Sequence, residues 1–221
     1  MRTDFFFPAD SLFLGVRPAQ KKTIHASERD RADVRARRKV WKEQQPQVDA
    51  SRLVFLDESG VNTNMTRHYA RAKNGQRAND HTPLNTGKTT TIVSSVRTDG
   101  TTVSSFLSGS LNGETFKEYI EQRLVPTLHT GDIIVMDNLR CHKVKGIKQA
   151  IEKAGAHILY LPPYSPDLNP IEQMWSKIKA LLRKVKARSV DVLLKALPAA
   201  FDAIIVQDIL GWFHLDGYSC L

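Results

Sequence analysis

The amino-acid sequence predicts an α/β fold in which a mixed sheet, part antiparallel meander and part parallel strands, is flanked by helices. Three observations carry that expectation. Residues 89–96 and 101–107 are β-branched runs separated by Arg97-Thr98-Asp99-Gly100, and Asp-Gly between such runs signals a hairpin. Residues 53–56 and 132–136 contain short continuous apolar runs, the signature of strands covered on both faces. Between the second of these and the run 158–161 lie Val144, Ile147 and Ile151 at helical spacing, stopped at Gly155. A strand, helix, strand unit of this length makes a right-handed crossover between parallel neighbours.

Taken in order, residues 1–16 match no element. Residues 17–48 read as a basic linker, because residues 17–42 alone carry a charge of +7 out of a total of +9. Arg35, Arg37, Arg38 and Lys39 are its candidate phosphate contacts, and a solvated, partly helical face is the competing interpretation. A core is expected over 49–206. Its first strand ends in a turn at Asp57-Glu58-Ser59-Gly60, and residues 61–87 are polar and irregular, with Gly75, Pro83 and Gly87 as breakers. After the hairpin, Asn112-Gly113-Glu114 opens a helix with Phe116, Tyr119, Ile120 and Leu124 on one face, ending at Pro126. The next buried strand ends at Asp137-Asn138.

The stretch Leu161-Pro162-Pro163-Tyr164-Ser165-Pro166-Asp167-Leu168-Asn169-Pro170 must be extended loop, since its prolines forbid helix and supply no ladder donors. A long helix follows, its apolar stripe formed by Ile171, Met174, Trp175, Ile178, Leu181, Leu182 and Val185. The opposite face is basic and offers Lys177, Lys179, Arg183 and Lys184 as candidate DNA contacts. An amphipathic segment over 190–205, interrupted by Pro198, packs alongside, and residues 207–221 are expected to form a tail.

Composition excludes several classes. With 41% hydrophobic and 25% charged residues the chain is globular rather than disordered. Cys141 and Cys220 neither build a disulfide framework nor show paired zinc-site spacing. The apolar N-terminal patch is broken by Pro8, Asp10 and Ser11, so no signal-peptide h-region is expected. No run approaches the roughly 18 apolar residues of a membrane span. A cytoplasmic protein facing a polyanion is the expectation, with no membrane partner.

Asp57, Asp137 and Glu172 are the candidate site. The first two stand at strand ends, where ligand sites of open α/β sheets collect, and the third in the first turn of the long helix. Each has a structural alternative: Asp57 and Asp137 as turn formers, Glu172 as the reaching-back partner of Asn169 in a capping box. If the three meet, a metal is favoured. Two carboxylates about 4 Å apart repel by about 4 kcal/mol at an effective dielectric near 20, a sign that divalent cations reverse.

Together, Leu56-Asp57-Glu58-Ser59-Gly60, Val135-Met136-Asp137-Asn138 with His142, and the loop 161–172 resemble the DDE transposases, specifically the bacterial insertion sequences of the mariner-type superfamily. The 34 residues between Asp137 and Glu172 fit that branch, and Lys21-Lys22-Thr23-Ile24-His25-Ala26 with Asp30-Arg31 resembles its linker. The resemblance implies a ribonuclease H-like fold over 49–206 and two Mg²⁺ or Mn²⁺ ions on Asp57, Asp137 and Glu172. It also implies nicking of double-stranded DNA at transposon inverted repeats and strand transfer into target DNA at TA. A homodimer in the synaptic complex and a location at the bacterial nucleoid go with it.

The family's N-terminal helix-turn-helix does not fit before Lys21, so a split reading frame or a truncated copy is expected. A non-catalytic relic that binds DNA or a partner transposase, and a ribonuclease H-like nuclease or resolvase, stand as alternatives. His142 and Asn138 are auxiliary candidates, His142 contacting a phosphate or the metal-bound water unless it is solvated at a helix start. Cys141, which with Arg140 stands where small residues are expected, reads as an incidental thiol, and Trp175 as core.

Overall fold

The computed structural model describes residues 25–220 apart from 68, 71, 73–75 and 86; the expectations for residues 1–16 and for Lys21 to Ile24 lie outside the described residues. A five-stranded sheet of order β3-β2-β1-β4-β5 forms the middle layer. It comprises β1 (Leu53–Val61), β2 (Thr90–Val96), β3 (Thr102–Ser108), β4 (Ile133–Met136) and β5 (His157–Tyr160). The first three strands form the antiparallel meander, and β1, β4 and β5 are parallel. The predicted hairpin turn is present, with Gly100 at φ +93°, a backbone conformation that L side chains rarely adopt.

Helices α1 (Ala32–Gln44), α2 (Gly113–Tyr119), α3 (Ile147–Lys153), α4 (Ile171–Val185), α5 (Val190–Asp202) and α6 (Val206–Leu215) surround the sheet. Alternation along the central strands sorts them into two layers. Val54, Leu56, Ile134 and Met136 face α2, its wider continuation through Leu124, and α3, meeting Phe116, Ile120, Ile147 and Ile151. Phe55 and Val135 face the other way, into Ile171, Met174, Trp175, Ile178 and Leu182 of α4 with Leu197 of α5 and Phe213 of α6. Asn112 starts α2 by accepting hydrogen bonds from the Glu114 and Thr115 N–H groups at 3.0 and 2.9 Å.

Four expectations are corrected. Residues 57–60 are not a turn: β1 continues through them because β2 supplies backbone partners, Asp57 opposite Ser94 and Gly60 opposite Thr91. Residues 207–221 are no tail, since α6 buries Ile209 and Phe213 and is followed by buried Tyr218. Phe213 and Tyr218 meet Phe55 edge-on with ring centroids 5.2 and 5.0 Å apart, so the core extends to Tyr218. The basic segment becomes helical at Ala32 and docks, with Val34 and Arg38 buried. Helix α5 runs through Pro198; the carbonyl this leaves without its N–H partner belongs to Leu194, on the exposed side.

Candidate active site

Asp57, Asp137 and Glu172 line one cleft of about 440 Å³. Sheet register explains the first two. Strands β1 and β4 pair in parallel as far as Phe55 opposite Val135, so Asp57 and Asp137 come level two residues further on, with the same facing. Beyond that point β1 continues on its β2 side alone, and the space that β4 would have filled opens as the cleft. Glu172 arrives from α4, whose stripe packs Ile171 and Trp175 onto the same face of the sheet. Of its alternatives, the capping box is not made: no side chain caps the start of α4, and Glu172 is exposed toward the cleft.

The three carboxylates have different electrostatic settings. Burial, then the charges of Glu172 and Glu58, push Asp57 up to about 8. Its Oδ2 accepts a hydrogen bond from Trp175 Nε1–H at 3.2 Å, so Trp175 is core with one polar duty. Burial also acts to raise Asp137, but hydrogen bonds from His142 and the Leu139 N–H outweigh it and hold the carboxyl below its ordinary value. Glu172, open to the cleft on one side, is raised by partial desolvation against the protein, with the nearby Lys179 charge opposing.

His142 is neither solvated nor a helix start. Its ring is 1% exposed, lies 4.4 Å from the Phe116 centroid, and joins two carboxylates: Nδ1 to Asp137 Oδ1 at 2.9 Å and Nε2 to Glu58 Oε2 at 3.3 Å. Burial alone would lower its pKa; Asp137 and Glu58 overcome that and push it up to about 9. Glu58 is the neighbour of the site that sequence reasoning missed. Strand alternation was the available signal, since residue 58 must face opposite to Asp57, toward the layer that holds His142.

The loop before α4 makes the opposite wall with Leu161, Pro162, Pro163, Tyr164 and Ser165. Asn138 shapes it, donating from Nδ2 to the Leu161 carbonyl at 2.7 Å. Tyr164 holds φ +55°, uncommon for a bulky residue. Two guanidiniums fix the loop from α1 and the turn before it. Arg38 donates to Ser165 Oγ at 2.5 Å and to both Asp167 oxygens at 3.0 and 2.7 Å, and Arg29 donates to Asp167 Oδ2 at 3.0 Å.

With that geometry in hand, comparison with known proteins decides the family: residues 52–194, well over half of the chain, match the family model described as DDE superfamily endonuclease. The chain belongs to this family. It is 31% identical over 74 residues to the Tc1 transposase of Caenorhabditis elegans, covering 34% of this chain and 27% of that protein. It is also 27% identical over 109 residues to the Tcb1 transposase of Caenorhabditis briggsae, covering 46% and 40%. Among solved structures, a Mos1 transposase paired-end complex with the left transposon end superposes with a TM-score of 0.70 at 19% identity, over 90% of this chain and 63% of that one. The catalytic domain of Mos1 mariner transposase superposes at 0.62 with 15% identity, over 89% and 93%. These likenesses show the expected ribonuclease H-like fold, and this chain spans less than two thirds of the full transposase chains it matches.

The basic candidates of this DDE endonuclease part company. Arg38 is withdrawn as a phosphate contact, being 6% exposed and committed to Asp167. Arg35, Arg37 and Lys39 are exposed on α1, and Arg37 lines a groove with Asn138, Leu161, Pro162 and Pro163, the back of the cleft's loop wall. On α4, Lys177 pairs with Asp208 of α6 and Lys184 is exposed. Lys179 and Arg183 line a groove of about 370 Å³ with Gly60, Asn62 and Asn64, beyond the far end of β1. Among the described residues no helix is long and apolar enough to cross a membrane.

Proposed function

We propose that this chain is the catalytic core of a DNA transposase that cleaves double-stranded DNA at transposon inverted repeats and joins the freed 3′ hydroxyl to target DNA at TA. The observation that carries it is the shared cleft of Asp57, Asp137 and Glu172, two of them level across adjacent parallel strands.

The donor set fits hard divalent cations. All three side chains offer carboxylate oxygen, the ligand type for Mg²⁺ and Mn²⁺, and Asp57 is pushed up to about 8 by burial and by its acidic neighbours, a repulsion that a divalent cation would relieve. Structures of Mos1 with Mn and with Mg support that choice. Asp57, Asp137 and Glu172 would hold two such ions, which when bound activate the attacking oxygen and stabilise the leaving one in an in-line displacement. The protein's own part is orientation. His142 and the Leu139 N–H both take Asp137 Oδ1, leaving Oδ2 for the cleft. Trp175 holds Asp57 through Oδ2. The prolines of the opposite wall exclude water from one side of the substrate strand, and Lys179 and Arg183 receive phosphates of the flanking duplex. Two ends processed together make a homodimer the assembly, working at the nucleoid in the bacterial cytoplasm.

The test uses duplexes made from the DNA flanking the chain's own reading frame, with Mn²⁺ or Mg²⁺. Strand joining is expected, and Asp137→Asn should lower it by a factor on the order of 10³ while the circular dichroism spectrum stays native. Hydrolysis without joining would turn the assignment to a ribonuclease H-like nuclease. Mn²⁺ binding with neither reaction would leave a DNA-binding relic.

A further inference from the structure

Behind Asp137, on the α2 side of the sheet, Glu58, Cys141 and His142 bring a carboxylate oxygen, a thiol sulfur and an imidazole nitrogen within 4.8 Å of one another. We propose that these three residues form a second cation site, taking a thiophilic divalent ion of the zinc class and separate from the all-oxygen trio. It does not depend on the transposase interpretation, since nothing in it requires DNA or turnover.

Geometry is the main support. A tetrahedral zinc-class ion with nitrogen and oxygen ligands at about 2.0–2.2 Å sets those two atoms ~3.4 Å apart, and His142 Nε2 stands 3.3 Å from Glu58 Oε2. The imidazole is also held the way metal-bound imidazoles usually are. Its other nitrogen, Nδ1, faces the Asp137 carboxylate at 2.9 Å, which fixes the ring and the tautomer that presents Nε2 as a ligand. The ring is immobilised by burial against Phe116, so little freedom is lost on binding. In the ion's absence a proton on Nε2 fills the same place.

Chemistry separates this site from the trio. Hard Mg²⁺ prefers oxygen, whereas a thiolate, an imidazole and one carboxylate select Zn²⁺ or Co²⁺. Cys141 is half-buried, which leaves a path for the ion and an open fourth position for water. Sulfur, nitrogen and oxygen need only close by about 1 Å around the ion, and Cys141 sits in a short turn, residues 140–143, that can supply that movement. Bound there, the ion would tie the turn to β1 and hold His142, and through it Asp137, in one orientation.

Co²⁺ titration of the metal-stripped full chain tests this, because cobalt bound by thiolate in tetrahedral geometry gives a near-ultraviolet sulfur-to-metal band and strong visible bands that oxygen-bound cobalt lacks. Both are expected at one equivalent, insensitive to excess Mg²⁺ and displaced by Zn²⁺. Cys141→Ser should abolish the sulfur band, and Glu58→Gln should weaken Co²⁺ binding by a factor on the order of 10 or more. Cys220→Ser should leave both unchanged. Absence of the sulfur band in the unaltered chain, its survival in Cys141→Ser, or unchanged affinity in Glu58→Gln would each overturn the site. His142 variants are left out because they remove a buried ring that the fold needs.

Discussion

Asp216 and His142 are both buried and titratable, yet only His142 has charged partners of opposite sign. Asp216 follows α6 and is 7% exposed. Gln173 Nε2 donates to its Oδ1 at 2.7 Å, but Oδ2 has no partner and the facing Gln173 Oε1 has none either. Burial, reinforced by the negative charges of Asp167 and Glu172, pushes it up to about 7. A carboxyl raised in the folded state binds its proton more tightly there than in the unfolded chain. Its contribution is therefore fully present below the unfolded value near 3.8 and is lost as pH rises through about 7. Thermal melts should show stability falling between about pH 4 and pH 7, and Asp216→Asn should flatten that slope and raise stability at pH 8, by at most about 4 kcal/mol. A variant that melts lower at pH 8 and keeps the slope would show that the charged form is wanted. None of this was visible in the sequence, where Asp216 is one acid in a segment expected to be a tail. The trio was visible because its three acids punctuate strong local signals: two apolar strand runs and a proline-rich loop before a helix. Glu58 was not, because its partner is 84 residues away and only the facing of β1 brings them together.

At the level of elements, the same division holds. The hairpin, the buried strands and the apolar stripe of α4 were legible, since each rests on spacing within a few residues. What the sequence hid was docking. The basic segment was expected to offer Arg35, Arg37, Arg38 and Lys39 to phosphates or to solvent, and Arg37 and Lys39 are exposed; Arg38 between them points inward because its position on the helix faces the loop before α4, 129 residues away. That contact holds Ser165 and Asp167, and so the wall of the cleft, to the segment that precedes the core. Arg38→Ala should cost about 2 kcal/mol in urea unfolding, below the 3–5 kcal/mol of a fully buried broken pair, because Asp167 is partly exposed and keeps Arg29. Arg35→Ala, three residues earlier on an exposed face, should change stability by less than about 0.5 kcal/mol. Equal costs for the two variants would mean that the clamp carries no stability. The segment after α6 makes a parallel case, as Tyr218 OH donates to the Leu168 carbonyl at 2.7 Å and Trp41 Nε1–H donates to that hydroxyl at 3.3 Å. Tyr218→Phe should therefore cost about 1–2 kcal/mol in the same assay, and a neutral result would show that water replaces both bonds.

For the molecule as a whole, the excess of positive charge does not act as one patch. The net charge is +9, but several cations are committed within the fold: Arg38 and Arg29 to Asp167, Arg97 to Asp132, Lys177 to Asp208 and Lys186 to Asp80. Lys179 and Arg183 differ because they line the groove at the far end of β1, and the Lys179 charge is felt at Glu172. A duplex whose scissile phosphate lies at the trio would run its flank along that groove. Each phosphate neutralised by a cation releases condensed counterions, so the logarithm of the binding constant falls with the logarithm of salt by about 0.9 per contact. Lys179→Ala combined with Arg183→Ala should therefore reduce that slope by about 2 on duplex DNA, measured by fluorescence anisotropy at several salt concentrations. Lys177→Ala should leave it nearly unchanged, because that ammonium is already neutralised by Asp208. If the groove pair leaves the slope intact while Arg35→Ala with Arg37→Ala lowers it, the duplex follows α1 instead, and the path of DNA across the molecule must be redrawn along the basic segment that precedes the core.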